Sequence, residues 1–265
     1  MKKPELDESV TCMLESEAEV GSETIEEGGL QGGASQITLS VKGSTPLMMN
    51  CGQLANPFDP YTQQLQQLVK ESKRKGVDKI PIYIKMAEVE FKGGLNIEED
   101  TLDDKGNVLH KGVGPFVSPE QFKTTIQTGA TLSRGGKMVQ RGIHIPTRLL
   151  PLLYTGPRSR NSLWAEPKYR DQRLVVISGK RILRTRPIFS EWALKDVPLI
   201  YFPAVIGLPD LIKFTRDAGM FAGIGEGRGK FNFGRFTITE INGNAVSEAD
   251  INAIISGRKI AAIAA

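Results

Sequence analysis

The residues best suited to chemistry lie toward the end of the chain, in Gly223-Ile224-Gly225-Glu226-Gly227-Arg228-Gly229-Lys230. Glycine tolerates positive φ and lets another backbone or a ligand come close. Arg228 and Lys230 add the charge that holds a phosphate. The run is not a dinucleotide fingerprint. That motif needs a strand before it and a helix after it, so that a helix N-terminus faces the pyrophosphate. Here helical spacing precedes and strand alternation follows. A loop lying on a phosphate chain is the functional reading, and a flexible connector is the plain one. Next comes Lys230-Phe231-Asn232-Phe233-Gly234-Arg235-Phe236, where aromatic residues alternate beside basic ones. On a strand such a pattern can stack bases, although Phe233 or Phe236 is read first as a core residue.

A second concentration is electrostatic. Residues 134–186 hold thirteen Lys or Arg against two acids, Glu166 and Asp171, a local net of +11. The whole chain carries only +4, because residues 1–36 hold nine acids and two lysines, a net of −7. A positive excess gathered in one stretch implies an anionic partner, nucleic acid first. The candidate contacts are Arg134, Lys137, Arg141, Arg158, Arg160, Lys168, Arg170, Arg181, Arg184 and Arg186, with Gly225, Gly227, Arg228, Lys230, Phe231 and Arg235 from the glycine-rich segment. Arg184 and Arg186 share one face of an expected strand, so both reach one groove. The planar guanidinium suits phosphate and stacks on bases. Some of these cations are expected to pair with Glu166, Asp171 or Glu191 instead.

Other constellations are thinner. The acidic run Glu98-Glu99-Asp100 and Asp103-Asp104 offers hard oxygens to a divalent metal, but without EF-hand spacing, and a solvated hairpin tip explains it as well. His110 and His144 have no ligand-spaced neighbours, so no metal site is assigned. No nucleophile-elbow sequence appears, and no cofactor motif is found.

The elements that position these residues follow from periodicity. Ile37, Leu39 and Val41 alternate with polar residues as a half-buried strand. Residues 60–75 read as a helix stopped at Gly76, and residues 80–92 read as strand or helix. Asp103 to Asn107 is turn chemistry at the tip of an inserted hairpin. Ser118-Pro119-Glu120-Gln121 starts a helix whose apolar face is Phe122, Ile126, Ala130 and Leu132. Strands are expected at 173–179, 181–192, 199–202 and 233–241. Helices are expected at 208–218, ended by Gly219, and at 247–255, capped by Ser247. Reduced to essentials this is α+β, an elaborated ferredoxin-like βαββαβ order: an antiparallel sheet with helices on one face, plus insertions.

At this point the chain resembles a family. A basic glycine-rich loop over residues 223–234 lies between the last helix and last strand of a ferredoxin-like order. Ser44-Thr45-Pro46-Leu47 follows the first strand, and Gly114-Pro115-Phe116-Val117-Ser118-Pro119 leads into a helix. Over residues 36–242 this is similar to the RAMP superfamily, the fold of CRISPR-effector backbone subunits and their relatives. The resemblance implies binding of RNA or single-stranded DNA through backbone contacts, often as a homo-oligomer, filament or multi-subunit complex. Since certain relatives cut RNA with a loop aspartate, it also makes Asp103 or Asp104 a conceivable catalytic residue. Insertions at 52–95 and 135–170 and the acidic N-terminal stretch depart from the family pattern, as a phage or mobile-element relative would.

Composition sets the remaining bounds. With 40% apolar and 24% charged residues the 265-residue chain falls in the ordinary globular range. No apolar run approaches the roughly 18 residues of a spanning helix, and the start turns acidic with no apolar stretch after it, so export is not expected. The two cysteines, Cys12 and Cys51, fit a reducing cytoplasm. Residues 1–35 are expected to be a disordered acidic tail and 36–265 one domain. The leading expectation is non-enzymatic binding of single-stranded RNA or DNA. The rivals are a viral assembly protein with an acidic protein partner, and a metal-dependent nuclease using residues 98–104.

Overall fold

Ile37, Leu39 and Val41 point to one side of an extended segment and are almost fully buried there. That segment, β1 (Ser35–Gly43), is the strand around which the rest is arranged. The computed structural model describes residues 33–177 and 179–258. The expectations for the acidic tail before Gly33 and for the final alanines lie outside them.

After β1 come β2 (Leu47–Met48), α1 (Pro60–Ser72), α2 (Lys79–Gly94), β3 (Ile97–Glu98), β4 (Thr101–Leu102), β5 (Val108–His110) and β6 (Gly114–Val117). Then follow α3 (Pro119–Thr131), α4 (Gly136–Gly142), β7 (Ile143–His144), β8 (Leu150–Pro151), α5 (Arg160–Ala165), β9 (Arg170–Ile177) and β10 (Lys180–Phe189). The chain closes with β11 (Ala193–Tyr201), α6 (Leu208–Asp217), β12 (Phe236–Ile241), β13 (Asn244–Ala245) and α7 (Glu248–Ile255). The protein is α+β, and its paired strands are antiparallel.

The main sheet has the order β13-β12-β1-β11-β7. Ile37 faces Leu199 and Leu39 faces Val197 across β11, while Val41 faces Ile238 across β12. A bulge follows Leu39, where the buried Ser40 hydroxyl donates to Glu240 (2.8 Å) and accepts from the Asp196 N–H (3.1 Å). Those bonds satisfy polar groups that the interrupted ladder would leave open. Helices α3 and α6 pack on each other, and Phe122 of α3 meets Phe236 of β12 at 6.0 Å. Gly129 allows the close crossing, since a Cβ there would overlap the Ala218 backbone. Ser118 and Gln121 form a capping box at the start of α3, as their spacing requires. Leu132, expected on the apolar face of that helix, is exposed beyond its last turn.

Three smaller units surround this sheet: β2-β10-β9, β3-β6-β8 and the β4–β5 hairpin. Helices α1 and α2 pair over a small core of Leu68, Ile82 and Val89. The segment 80–92, open to two readings, is wholly helical, with Asp78 capping it through the Ile80 N–H (3.1 Å). The expected strand assignment changes at one edge of the main sheet. Strands β9 and β10 do not enter the main sheet; they form a long hairpin turned at Gly179 (φ +76°) and joined to β2. The main-sheet strand between α3 and β11 is instead β7, two residues paired with Ile200 and Tyr201. Two residues are too few to carry a period-2 pattern, so the longer hairpin drew the assignment. The inserted elements accordingly occupy more of the chain than 52–95 and 135–170. No described helix is long and apolar enough to cross a membrane.

Candidate nucleic-acid interface

The glycine-rich segment is a pinned structure. Helix α6 does not stop at Gly219; it continues as a wide π turn through Ala218–Ala222 and ends at Gly223 (φ +77°). Gly219 is needed for contact instead, lying against the Phe236 carbonyl. Beyond it the Ile224 N–H donates to Gly234 O (2.9 Å), the Glu226 N–H to Met48 O (2.9 Å) and the Gly234 N–H to Pro46 O (2.8 Å). Gly225 (φ +81°) and Gly234 (φ +69°) combine positive φ with contact too close for a Cβ, against Met48 O and Ile224 O. The segment after β1 clamps the loop: Thr45 donates its hydroxyl to Asn232 O (2.8 Å) and accepts from the Arg235 N–H (2.9 Å).

The aromatic alternation at 230–236 is not a strand. Asn232 (φ +56°) and Gly234 turn the chain, and β12 begins at Phe236. Phe236 is core. Phe231 and Phe233 lie 5.7 Å apart on the loop, and the Arg173 guanidinium stacks over both, at 4.2 and 5.0 Å. Asp171 holds Arg173 in a two-pronged ion pair and raises its pKa. Arg186 joins β10 to the loop through Glu226 (2.9 Å) and bonds Asn50 (3.1 Å). Hairpin base and glycine loop are thus one connected structure.

Against it runs an open cleft of about 610 Å³, lined by Asn50, by Glu120, Gln121 and Thr124 of α3's first turns, and by Gly225 to Lys230. Arg228 and Lys230 are exposed there, and no ion pair among the described residues engages them. Phe231 is 38% exposed, with the Lys230 ammonium 5.4 Å from its ring. Arg235 turns inward. One of its nitrogens donates to Asn232 (3.1 Å), and another is buried with no acceptor among the described residues; that burial lowers its pKa.

The other candidates divide. Arg184 does not reach a shared groove with Arg186 toward solvent: it pairs with Glu90, whose other oxygen accepts from the Thr185 N–H (3.0 Å). Arg160 pairs with Glu99 (2.7 Å) and Lys168 with Glu166 (2.9 Å). Arg158 donates to Val113 O (3.2 Å) and Leu152 O (3.0 Å), and Arg170 stacks on Trp164 at 4.6 Å. Of the three expected acceptors, Glu166 and Asp171 are used. Glu90, Glu98, Glu99 and Glu226 do the rest from distant parts of the sequence, which neighbour-based reading cannot see. Arg134, Lys137 and Arg141 are exposed around α4, beside the C-terminal part of α3, and Arg181 is exposed near the hairpin tip. The structure does not gather these four into the cleft. Sequence reading missed Asn50, Gln121 and Thr124; the capping motif at Ser118 was the available sign that a helix begins there.

Asp103 and Asp104 sit at the β4–β5 tip. Asp103 accepts from Asn107 Nδ2 (2.9 Å), Asn107 N (2.7 Å) and Lys105 N (2.9 Å), and these bonds lower its pKa, the Asn107 side chain first. Its oxygens are thereby committed to the turn. No family model matches this chain, and no curated protein matches it.

Proposed function

We propose that the protein binds single-stranded nucleic acid, without cutting it, along the cleft between the glycine loop and the start of α3. The carrying observation is the loop itself: a backbone fixed by several positive-φ glycines presents Arg228 and Lys230 to the cleft, with the partly exposed Phe231 ring next to Lys230. Fixed backbone with free cations suits a phosphate chain, and an accessible aromatic beside them suits a base. Rigidity matters because an ordered loop loses little entropy on binding. The chain order β1–α3–β7 and β11–α6–β12, with these strands lying as β12-β1-β11-β7, supports a ferredoxin-like core of the RAMP kind, in which such a loop faces the ligand. Arg134, Lys137, Arg141 and Arg181 would serve as outlying phosphate contacts.

Filter binding or fluorescence anisotropy with a single strand, across a salt series, tests the reading. About four to six phosphate contacts give a log–log slope of roughly −3 to −4, at about −0.7 per phosphate. A flat response overturns it. Running DNA, RNA and duplex in parallel identifies the preferred strand.

A further inference from the structure

Much of the basic stretch is neutralised within the fold, but most cations of the α1–α2 unit are not; there only Lys92 has an ion pair among the described residues, with Glu88. Lys70, Lys73, Arg74, Lys75, Lys79 and Lys85 are exposed, and no ion pair among the described residues involves them. The same unit shows an apolar stripe to solvent. Ile80, Tyr83 and Ile84 of α2 are 68%, 53% and 58% exposed. Their i, i+3, i+4 spacing places them side by side, while Ile82 and Val89 on another side fill the small core. An apolar stripe bordered by lysines fits an acidic segment that has apolar residues of its own. A nucleic-acid strand would use the lysines but gain nothing from isoleucines, which offer no ring to a base.

The chain carries such a segment. Residues 5–27 contain nine acids and no Lys or Arg. Leu6, Val10, Met13 and Leu14 fall at i, i+4, i+7 and i+8, the spacing of one helix face. We propose that residues 5–14 of the chain's own N-terminal stretch dock on the exposed face of α2, apolar side to Ile80, Tyr83 and Ile84 and carboxylates to the surrounding lysines. This is the helix-on-apolar-surface mode of peptide recognition. The connecting chain from Leu14 to Gly33 reaches roughly 20–25 Å as a coil and about 60 Å when extended. A domain of this size has a radius of gyration of about 17 Å, so the face is within reach. The contact is independent of the cleft reading, because it uses neither the glycine loop nor β10.

The experiment uses the full chain carrying Cys51→Ser, with a benzophenone photocrosslinker on Cys12. Irradiation, digestion and mass spectrometry locate the attachment, and an equal mixture of light and heavy isotope-labelled chains separates contacts within a chain from those between chains. The expected result is attachment within residues 79–87 of the same chain. It should fall at least fivefold in Ile80→Glu/Ile84→Glu and in Lys79→Glu/Lys85→Glu, with the circular dichroism of each variant unchanged. Attachment on the glycine loop or the β9–β10 hairpin, attachment between light and heavy chains, or a yield insensitive to both variants would overturn the proposal.

Discussion

The glycine loop and β10 touch through Arg186 and Glu226, and both carry arginines, yet they use them differently. On β10, Arg184 is held against Glu90, a carboxylate that is itself buried. On the loop, Arg228 and Lys230 stand exposed over a cleft. Local charge counting treats the two regions alike. The fold does not: β10 uses Arg184 to join α2 to the hairpin and Arg186 to hold the loop, while the loop leaves Arg228 and Lys230 to solvent. A net charge read from sequence therefore says how many cations exist, and only the placement of acids says how many a ligand can reach.

The sharpest way to break this contrast is through the loop backbone. Gly234→Ala places a Cβ on the Ile224 carbonyl at a left-handed φ, so it should cost on the order of 3 kcal/mol or more in urea unfolding. A loss under about 1 kcal/mol would mean that the loop is not pinned. The next largest effect belongs to β10. Arg184→Ala strands a buried Glu90, and such losses run to about 3–5 kcal/mol. Because the Arg184 side chain is 28% exposed, solvent screening reduces the expectation to about 2–3 kcal/mol. Arg184→Met combined with Glu90→Gln should recover more than half of it.

On the loop, the double change Arg228→Glu and Lys230→Glu should leave stability within about 0.5 kcal/mol. It should weaken single-strand binding about tenfold or more, equivalent to roughly 1.4 kcal/mol. Unchanged affinity would move the interface away from the cleft. The smallest effect tests Tyr154, whose ring lies 4.9 Å from Phe189 at the end of β10 and 5.9 Å from Tyr169. Tyr154 donates its hydroxyl to Pro157 O, and burial pushes its pKa up to about 12. Tyr154→Phe should cost about 1 kcal/mol at neutral pH. A phenol whose folded pKa lies above its unfolded value of about 10 contributes stability present below pH ~10 and lost as pH rises toward 12. The advantage of wild type over the variant should therefore shrink as pH rises above about 10, and reverse before pH 12.

Local chemistry was legible in the sequence wherever it is written in adjacent residues. The capping boxes at Ser118 and Ser247, the Asp103 turn and the alternation of β1 all stand where spacing placed them. What failed depends on remote residues. Arg184's partner lies 94 residues away, and β7 is a strand only because β11 lies beside it. The loop aromatics alternate as a strand would, but positive φ at Asn232 and Gly234 overrides that pattern, and glycine content alone does not distinguish a pinned loop from a slack one.

The placement of β1 has a consequence during synthesis. It is the first strand of the described residues to leave the ribosome, yet its two neighbours are β11 and β12. Thr38 finds its acceptor 204 positions later, at Asn242. At about 5–20 residues per second of elongation, one edge of β1 stays open for roughly 8–30 s and the other for roughly 10–40 s. Of the helices that pack together in the core, α3 follows early, but α6 emerges only after β11. The strand at the centre of the finished sheet is thus the longest-lived open edge of the nascent chain. Overexpression, which raises the number of such chains at once, should load chaperones through β1 before any other part of the protein.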